Sequence, residues 1–228
     1  MIGKNSDKEF KVEDYEEFYE NHQFVETTEE DSYNVHEIIP RFGWGFDMVE
    51  EYQPKNLLDL GTLEGSFPIT IARHFGIPTV GVDLTKDGIA LAKSRAQKLG
   101  VDATFLQGTI EEHLEKLWGL KKKFDMITCF EVIEHVKDPQ RLLGLIDKVL
   151  APGGHVLIST PDFESPLYGK DDEKNKCHIR LYTTADEDYE AENKYGNVRK
   201  ATSITKEIGK DRIKDIGVYS HLINVLYQ

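Results

Sequence analysis

Cysteine is scarce in this 228-residue chain: Cys129 and Cys177, far apart, are all there is. Neither their number nor their spacing makes a disulfide framework, which fits a reducing compartment. Cys129 falls in an apolar run, where a thiol acts as a small hydrophobe. Long hydrophobic runs are also missing, so no stretch is expected to span a bilayer. The opening residues Met1 to Asp7 hold no apolar signal region, and a cytoplasmic location is expected. Basic residues are in deficit: 28 Lys and Arg stand against 41 Asp and Glu, for a net charge of −13. Such a surface repels a phosphate backbone and disfavours nucleic acid as a partner. The notable basic run, Lys121-Lys122-Lys123, precedes an apolar stretch and reads as a solvated linker. Internal repeats and low-complexity segments are absent too.

What is present is organised around residues 56–66. The apolar run Leu57-Leu58-Asp59-Leu60 carries an acid near its end and breaks at Gly61. Four residues on, Gly65 opens a helical pattern through Phe67, Ile69, Ile71 and Ala72. That is a buried parallel strand, a tight turn and a helix whose N-terminus faces the turn. Glycine in such a turn lets backbone N–H groups approach a ligand. Twenty-two residues past Gly61, a second strand pattern ends in Asp83, where a nucleoside-binding α/β unit would hold a ribose diol.

The pattern then alternates. Strands are expected near 56–61, 78–83, 102–107, 124–130 and 154–160, with helices near 65–75, 86–99, 109–118 and 138–150. This predicts an α/β fold with a parallel sheet covered by helices on both faces. Gly100 is expected to end one helix, and Pro152-Gly153-Gly154 to end another and turn into the fifth strand. Before the core, Val12, Tyr15, Phe18 and Tyr19 mark an amphipathic helix over 11–23. The aromatic stretch 33–52, with Phe42, Trp44 and Phe46, is either a helix packed on the sheet or a lid over a pocket. Residues 1–52 are thus expected to form a helical cap on the domain spanning 53–228. After Pro161, 161–182 reads as a long loop and 184–195 as an acidic stretch of weak helical character. The tail 212–228 alternates around Gly217 and suggests an antiparallel hairpin at the sheet edge.

A further segment runs Phe124-Asp125-Met126-Ile127-Thr128-Cys129-Phe130-Glu131-Val132-Ile133-Glu134-His135-Val136, and Leu150-Ala151-Pro152-Gly153-Gly154 follows it. With the glycine turn and Asp83, it makes the chain resemble class I S-adenosylmethionine (SAM)-dependent methyltransferases from about residue 57 to 182. The likeness is to the branch holding the ubiquinone-pathway O-methyltransferases, sugar and natural-product methyltransferases, and small-RNA 3′-terminal 2′-O-methyltransferases. It implies a Rossmann-like, mostly parallel seven-stranded sheet with an antiparallel C-terminal hairpin. It also implies SAM as cofactor, held by Asp59, Gly61, Thr62, Leu63, Glu64 and Gly65, by Asp83 and Leu84, by Gly108, Thr109 and Ile110, and by Phe130. Leu63 stands where the family usually has glycine. Thr109 stands where it usually has an acid, offering a hydroxyl to the adenine amino group. Glu64 either meets the cofactor's positive charge or is a helix-start acid favoured by the macrodipole.

Glu131, Glu134 and His135 stand at i, i+3 and i+4, on one side of any helical turn that starts there. A later element carries His178 before an aromatic residue and a threonine, Tyr182-Thr183. In the small-RNA enzymes a comparable Glu-x-x-Glu-His group and a later histidine bind a divalent ion. The resemblance therefore implies Glu131, Glu134, His135 and His178 as ligands of a metal that the ligand types do not identify. Without metal, His135 or His178 is the candidate base, with Glu131 beside them. The expected activity is O-methylation of a hydroxyl on a small molecule such as a sugar or quinol intermediate. The competing readings are an RNA 3′-end substrate and a scaffold that binds without turnover.

Overall fold

The computed structural model describes residues 39–165, 177–185, 188–192, 198–219 and 222–228. The helix expected over 11–23 and much of the loop after Pro161 lie outside these residues. Helix α1 (Pro40–Tyr52) leads into β1 (Leu57–Leu60), α2 (Ser66–Phe75), β2 (Thr79–Asp83), α3 (Lys86–Leu99) and β3 (Ala103–Gln107). Then come α4 (Ile110–Gly119), β4 (Phe124–Phe130), α5 (Pro139–Val149) and β5 (Leu150–Pro161). Strands β6 (Leu181–Thr183), β7 (Tyr189–Glu192) and β8 (Val198–Ser203) follow, then α6 (Ile204–Ile208), β9 (Ile213–Tyr219) and β10 (Leu222–Tyr227).

Seven strands form one sheet in the order β3-β2-β1-β4-β5-β10-β9. The first five are parallel, and β10 runs antiparallel to both β5 and β9. Their near-continuous apolar runs follow from burial on both faces. Leu58, Leu60, Ile127, Cys129, Val156 and Ile158 face the helices α4, α5 and α6. The alternating residues Leu57, Met126, Phe130 and Leu157 meet α1 and α2 on the other side. Among the described residues no helix is long and apolar enough to cross a membrane.

Two expectations need correction, and a third holds. Pro152-Gly153-Gly154 does not end a helix; α5 stops at Val149, and the three residues lie within β5, whose register against β4 shifts between Phe124 and Met126. The expected antiparallel hairpin at the sheet edge is β9 and β10, with Gly217 inside β9 opposite Asn224. The acidic stretch near 184–195 is not helical where described: β7 joins β8 and β6 in a second, three-stranded sheet. That sheet is tied to the end of β5 by a bridge between Asp162 and Tyr182 and by the Phe163 N–H donating to the Tyr182 carbonyl at 2.9 Å. It stands at the carboxyl end of the parallel strands, beside the crevice described next.

Candidate active site

From β1 the chain winds outward to β2 and β3, then crosses back to β4. Between β1 and β4 the winding direction reverses, and in open α/β sheets ligands bind outside the strand ends at such a point. Two loops meet there: 61–65 after β1, and 131–136 after β4.

The first loop is held by Asp83 at the tip of β2. Its Oδ2 accepts the Leu63 N–H at 2.7 Å, and its Oδ1 accepts the Thr85 N–H at 2.8 Å and the Thr85 hydroxyl at 2.7 Å. A carboxylate offers about four lone-pair sites. Three are used, so Oδ2 keeps one for a further donor. Burial raises the Asp83 carboxyl above its ordinary value, and the three bonds oppose that. Gly61 (φ +77°) and Gly65 (φ +76°) both have positive φ, and both pack against the protein itself. A Cβ at Gly61 would lie 2.4 Å from Val132 Cγ2, and one at Gly65 2.7 Å from the Phe105 ring.

Leu63 takes φ +50°, so this leucine occupies the left-handed conformation that glycine adopts without strain. Leu63→Gly should therefore be more stable than Leu63→Ala by about 1 kcal/mol. Urea unfolding of the two variants checks this; alanine equal to or above glycine would contradict it.

Asp59 lies deeper, 4% exposed, and accepts the Thr128 hydroxyl at 2.6 Å. Burial pushes its carboxyl up to about 6 from 3.8, more than Thr128 lowers it. The folded state therefore holds this proton more tightly than the unfolded chain, and stability falls as pH rises from about 4 through about 6. Relative to Asp59→Asn, the ligand-free wild type should lose roughly 3 kcal/mol across that window. Urea midpoints of both proteins from pH 4 to 8 read this directly, and a pH-independent difference would refute it.

Other residues of the expected cofactor set have local roles. Glu64 accepts the Ser66 hydroxyl at 2.7 Å and lies 4.0 Å from Arg95, just ahead of Gly65, the residue that caps α2. Thr109 caps α4, its hydroxyl accepting the Glu112 N–H at 3.3 Å. One lone pair remains for an adenine amino group. Leu84 receives the Gln107 side-chain amide on its carbonyl, and the Gly108 N–H donates to the Asp83 carbonyl at 2.9 Å. Ile110 is half-buried against the core below α4. Thr62 is buried beside Gly61, its N–H donating to the Val82 carbonyl at 3.1 Å. Phe130 meets three rings: Phe67 at 5.2 Å, Phe42 at 6.1 Å and Trp44 at 6.3 Å between centroids. Helix α1 thus packs on the sheet at the end of β4, which is the first of the two readings of the aromatic stretch.

After β4, Glu131 adopts φ +56°. That break stops a helical turn from starting at Glu131, and a single 3-10 turn begins only at Ile133–His135. Glu131 accepts the Ser159 hydroxyl at 2.8 Å. Glu134, His135 and His178 come together, each offering one donor atom within 4.8 Å of the others. Glu131 is outside this trio, so the four-residue ligand group that the resemblance implied becomes three.

Glu134 is 2% exposed. Its Oε2 accepts the Thr160 hydroxyl at 3.1 Å, while its buried Oε1 has no hydrogen-bond partner and lies 3.9 Å from His135 Nε2. Burial, then the charge of Glu131, hold its carboxyl well above the usual range. His135 is pushed down to about 4 by burial and by His178. Its Nδ1 lies 3.0 Å from the Cys177 carbonyl. A carbonyl oxygen only accepts, so Nδ1 carries the proton and Nε2 presents its lone pair. The His178 ring stands 4.7 Å from that of His135.

Sequence reasoning passed over Arg41, Ser159 and Thr160. Arg41 lies near enough to favour the charged forms of Asp59 and Glu134, and its buried Nε has no hydrogen-bond partner. A lone arginine in an aromatic stretch was the available signal. For Ser159 and Thr160 it was a polar pair closing an apolar strand. A buried guanidinium nitrogen without a partner, and a carboxylate with a free acceptor site at the tip of β2, fit a ligand carrying a carboxylate and a diol. SAM carries both.

A methyltransferase-domain family profile matches residues 53–215. The ubiquinone biosynthesis O-methyltransferase of Vibrio atlanticus is 33% identical over 137 residues, 59% of this chain and 56% of its own length. The chain thus spans little more than half of that relative. Among solved structures, an S-adenosylmethionine-dependent methyltransferase from Clostridium acetobutylicum aligns over 94% of this chain and 98% of its own, with TM-score 0.59 and 13% identity. The N-terminal domain of EvdMO1 with SAH bound aligns over 82% and 79%, with TM-score 0.53 and 15% identity. At those identities the structures speak for the fold alone, and they share it. With the profile covering well over half of its length, this chain belongs to the methyltransferase-domain family.

Proposed function

We propose that the chain transfers a methyl group from SAM to a hydroxyl of a small molecule, with a vicinal diol as the preferred acceptor. Asp83 would hold the cofactor ribose through the free site on Oδ2, and Arg41 its carboxylate. The loop 61–65 would line its methionine part, and Thr109 and Ile110 the adenine. This places the sulfonium at the mouth between β1 and β4, facing Phe130 and the turn 131–135. The observation that carries the reading is Glu134 Oε1, buried without a hydrogen-bond partner 3.9 Å from His135 Nε2, in a trio with His178 whose ligating atoms lie within 4.8 Å of one another.

One carboxylate and two imidazoles suit a divalent ion, and the two histidines then serve as ligands. A divalent ion held there would lower the pKa of a bound hydroxyl and orient it. Glu131, which accepts the Ser159 hydroxyl, would take the acceptor's proton as the new O–C bond forms and the S–CH3 bond of SAM breaks to release SAH. Burial of Glu134, and the rings of Phe42 and Trp44 over Phe130, would both limit water near the reacting atoms. With two adjacent hydroxyls chelated, one oxygen is fixed in position for transfer, where proximity supplies much of the rate.

The test is methyl transfer from radiolabelled SAM to a panel of catechols, sugars and matched monohydric compounds, with chelator and with added Mg²⁺ or Mn²⁺. Turnover confined to diols, lost in chelator and restored by an ion, is expected. Full turnover in chelator would refute the metal, and equal turnover of monohydric acceptors would refute the diol.

A further inference from the structure

Neither a shared strand nor a shared helix brings His178 to Glu134 and His135. Hydrogen bonds do. The Glu134 carbonyl accepts both the Ile179 and the Arg180 N–H, at 3.1 Å each. The Cys177 carbonyl accepts from His135 Nδ1 at 3.0 Å. On the far side, the Arg180 guanidinium donates from Nε to the Val136 carbonyl at 3.2 Å and from Nη2 to the Lys137 carbonyl at 2.8 Å. Those carbonyls follow directly on the 3-10 turn, where acceptors have no helical donor.

In a chain with 41 acidic residues, this guanidinium donates to two backbone carbonyls. A planar fork suits that arrangement, because it fixes two neighbouring carbonyls relative to each other. A lysine ammonium is a point donor on a flexible stem and does not impose the same geometry. The clasp lies entirely in the segments 134–137 and 177–180, away from Asp83 and the loop 61–65.

We propose that Arg180 is a positioning residue: it locks the His178 segment onto the turn after β4 and so sets the spacing of the Glu134, His135 and His178 donor atoms. The inference rests on the metal reading above for what the trio holds, though not for the clasp itself. Partners that orient ligating side chains are worth 10–100-fold in metal affinity when removed.

The experiment compares wild type, Arg180→Met, which keeps the aliphatic stem, and Arg180→Lys. Mn²⁺ binding and SAH binding are measured by calorimetry, and the His135 Nδ1–H proton by NMR, assigned with His135→Gln. Arg180→Met should weaken Mn²⁺ binding 10–100-fold and broaden the imidazole proton, leaving SAH affinity within about twofold; Arg180→Lys should fall between. Equal Mn²⁺ affinity in all three proteins would overturn the proposal. If the wild type binds no Mn²⁺, the metal reading fails, and the clasp is judged by the proton alone. A resonance as sharp in Arg180→Met as in wild type would overturn it; one broadened only in the variants would support it.

Discussion

Replacing Asp83 with alanine is expected to lower SAH affinity at least 100-fold and to destabilise the ligand-free protein by roughly 2–4 kcal/mol. The stability loss follows from three donors, the Leu63 N–H, the Thr85 N–H and the Thr85 hydroxyl, that lose their acceptor. Leaving a buried donor unsatisfied costs about 1–3 kcal/mol. The Thr85 hydroxyl, though buried, can rotate toward another acceptor, which keeps the sum at the lower end. The affinity loss has two sources. The ribose loses its acceptor, and the loop 61–65 loses the bond that fixes Leu63 in its left-handed conformation. Asp83→Asn should rescue little: an amide oxygen serving Thr85 leaves the amide nitrogen facing the Leu63 N–H, donor against donor. Calorimetry with SAH and urea unfolding measure the two effects separately. SAH affinity within threefold of wild type in Asp83→Ala would remove Asp83 from the site.

Glu134→Gln should separate function from stability. A carboxyl buried this deeply, with a second carboxylate nearby, is costly to keep, and the amide retains an oxygen for Thr160 without the charge. Stability should therefore hold or rise by about 1 kcal/mol, since buried polar groups kept for function commonly cost stability. Divalent-ion affinity and turnover should fall at least 100-fold, because an amide oxygen is a far weaker ligand than a carboxylate. SAH affinity should hardly change. A less stable but fully active variant would assign Glu134 to the core instead.

The core elements were legible because burial on both strand faces writes itself as continuous apolar runs. Strands 57–60, 79–83, 103–107 and 124–130 fall within a residue or so of their expected bounds, as do the helices between them. What escaped were features that depend on single dihedrals or on contacts distant in sequence. Spacing placed Glu131 on the face of Glu134 and His135 by assuming a helix from Glu131 onward. One positive φ at Glu131 breaks that assumption, and no composition signal announces it. The second sheet is made of strands of three to six residues, too short for a period-2 pattern to stand out among charged neighbours. Arg41 shows its role only through Asp59, within the first strand, and Glu134, beyond the fourth. His178 was readable as a candidate, while the carbonyl clasp that delivers it was not, since backbone acceptors leave no trace in residue type.

The most direct test is a crystal structure of the protein grown with SAH. The ribose hydroxyls should lie within hydrogen-bonding distance of the Asp83 carboxylate, with the sulfur between the loop 61–65 and Phe130, facing Glu134 and His135. Ligand density elsewhere on the molecule, or a crevice between β1 and β4 closed by side chains at millimolar SAH, would contradict the account.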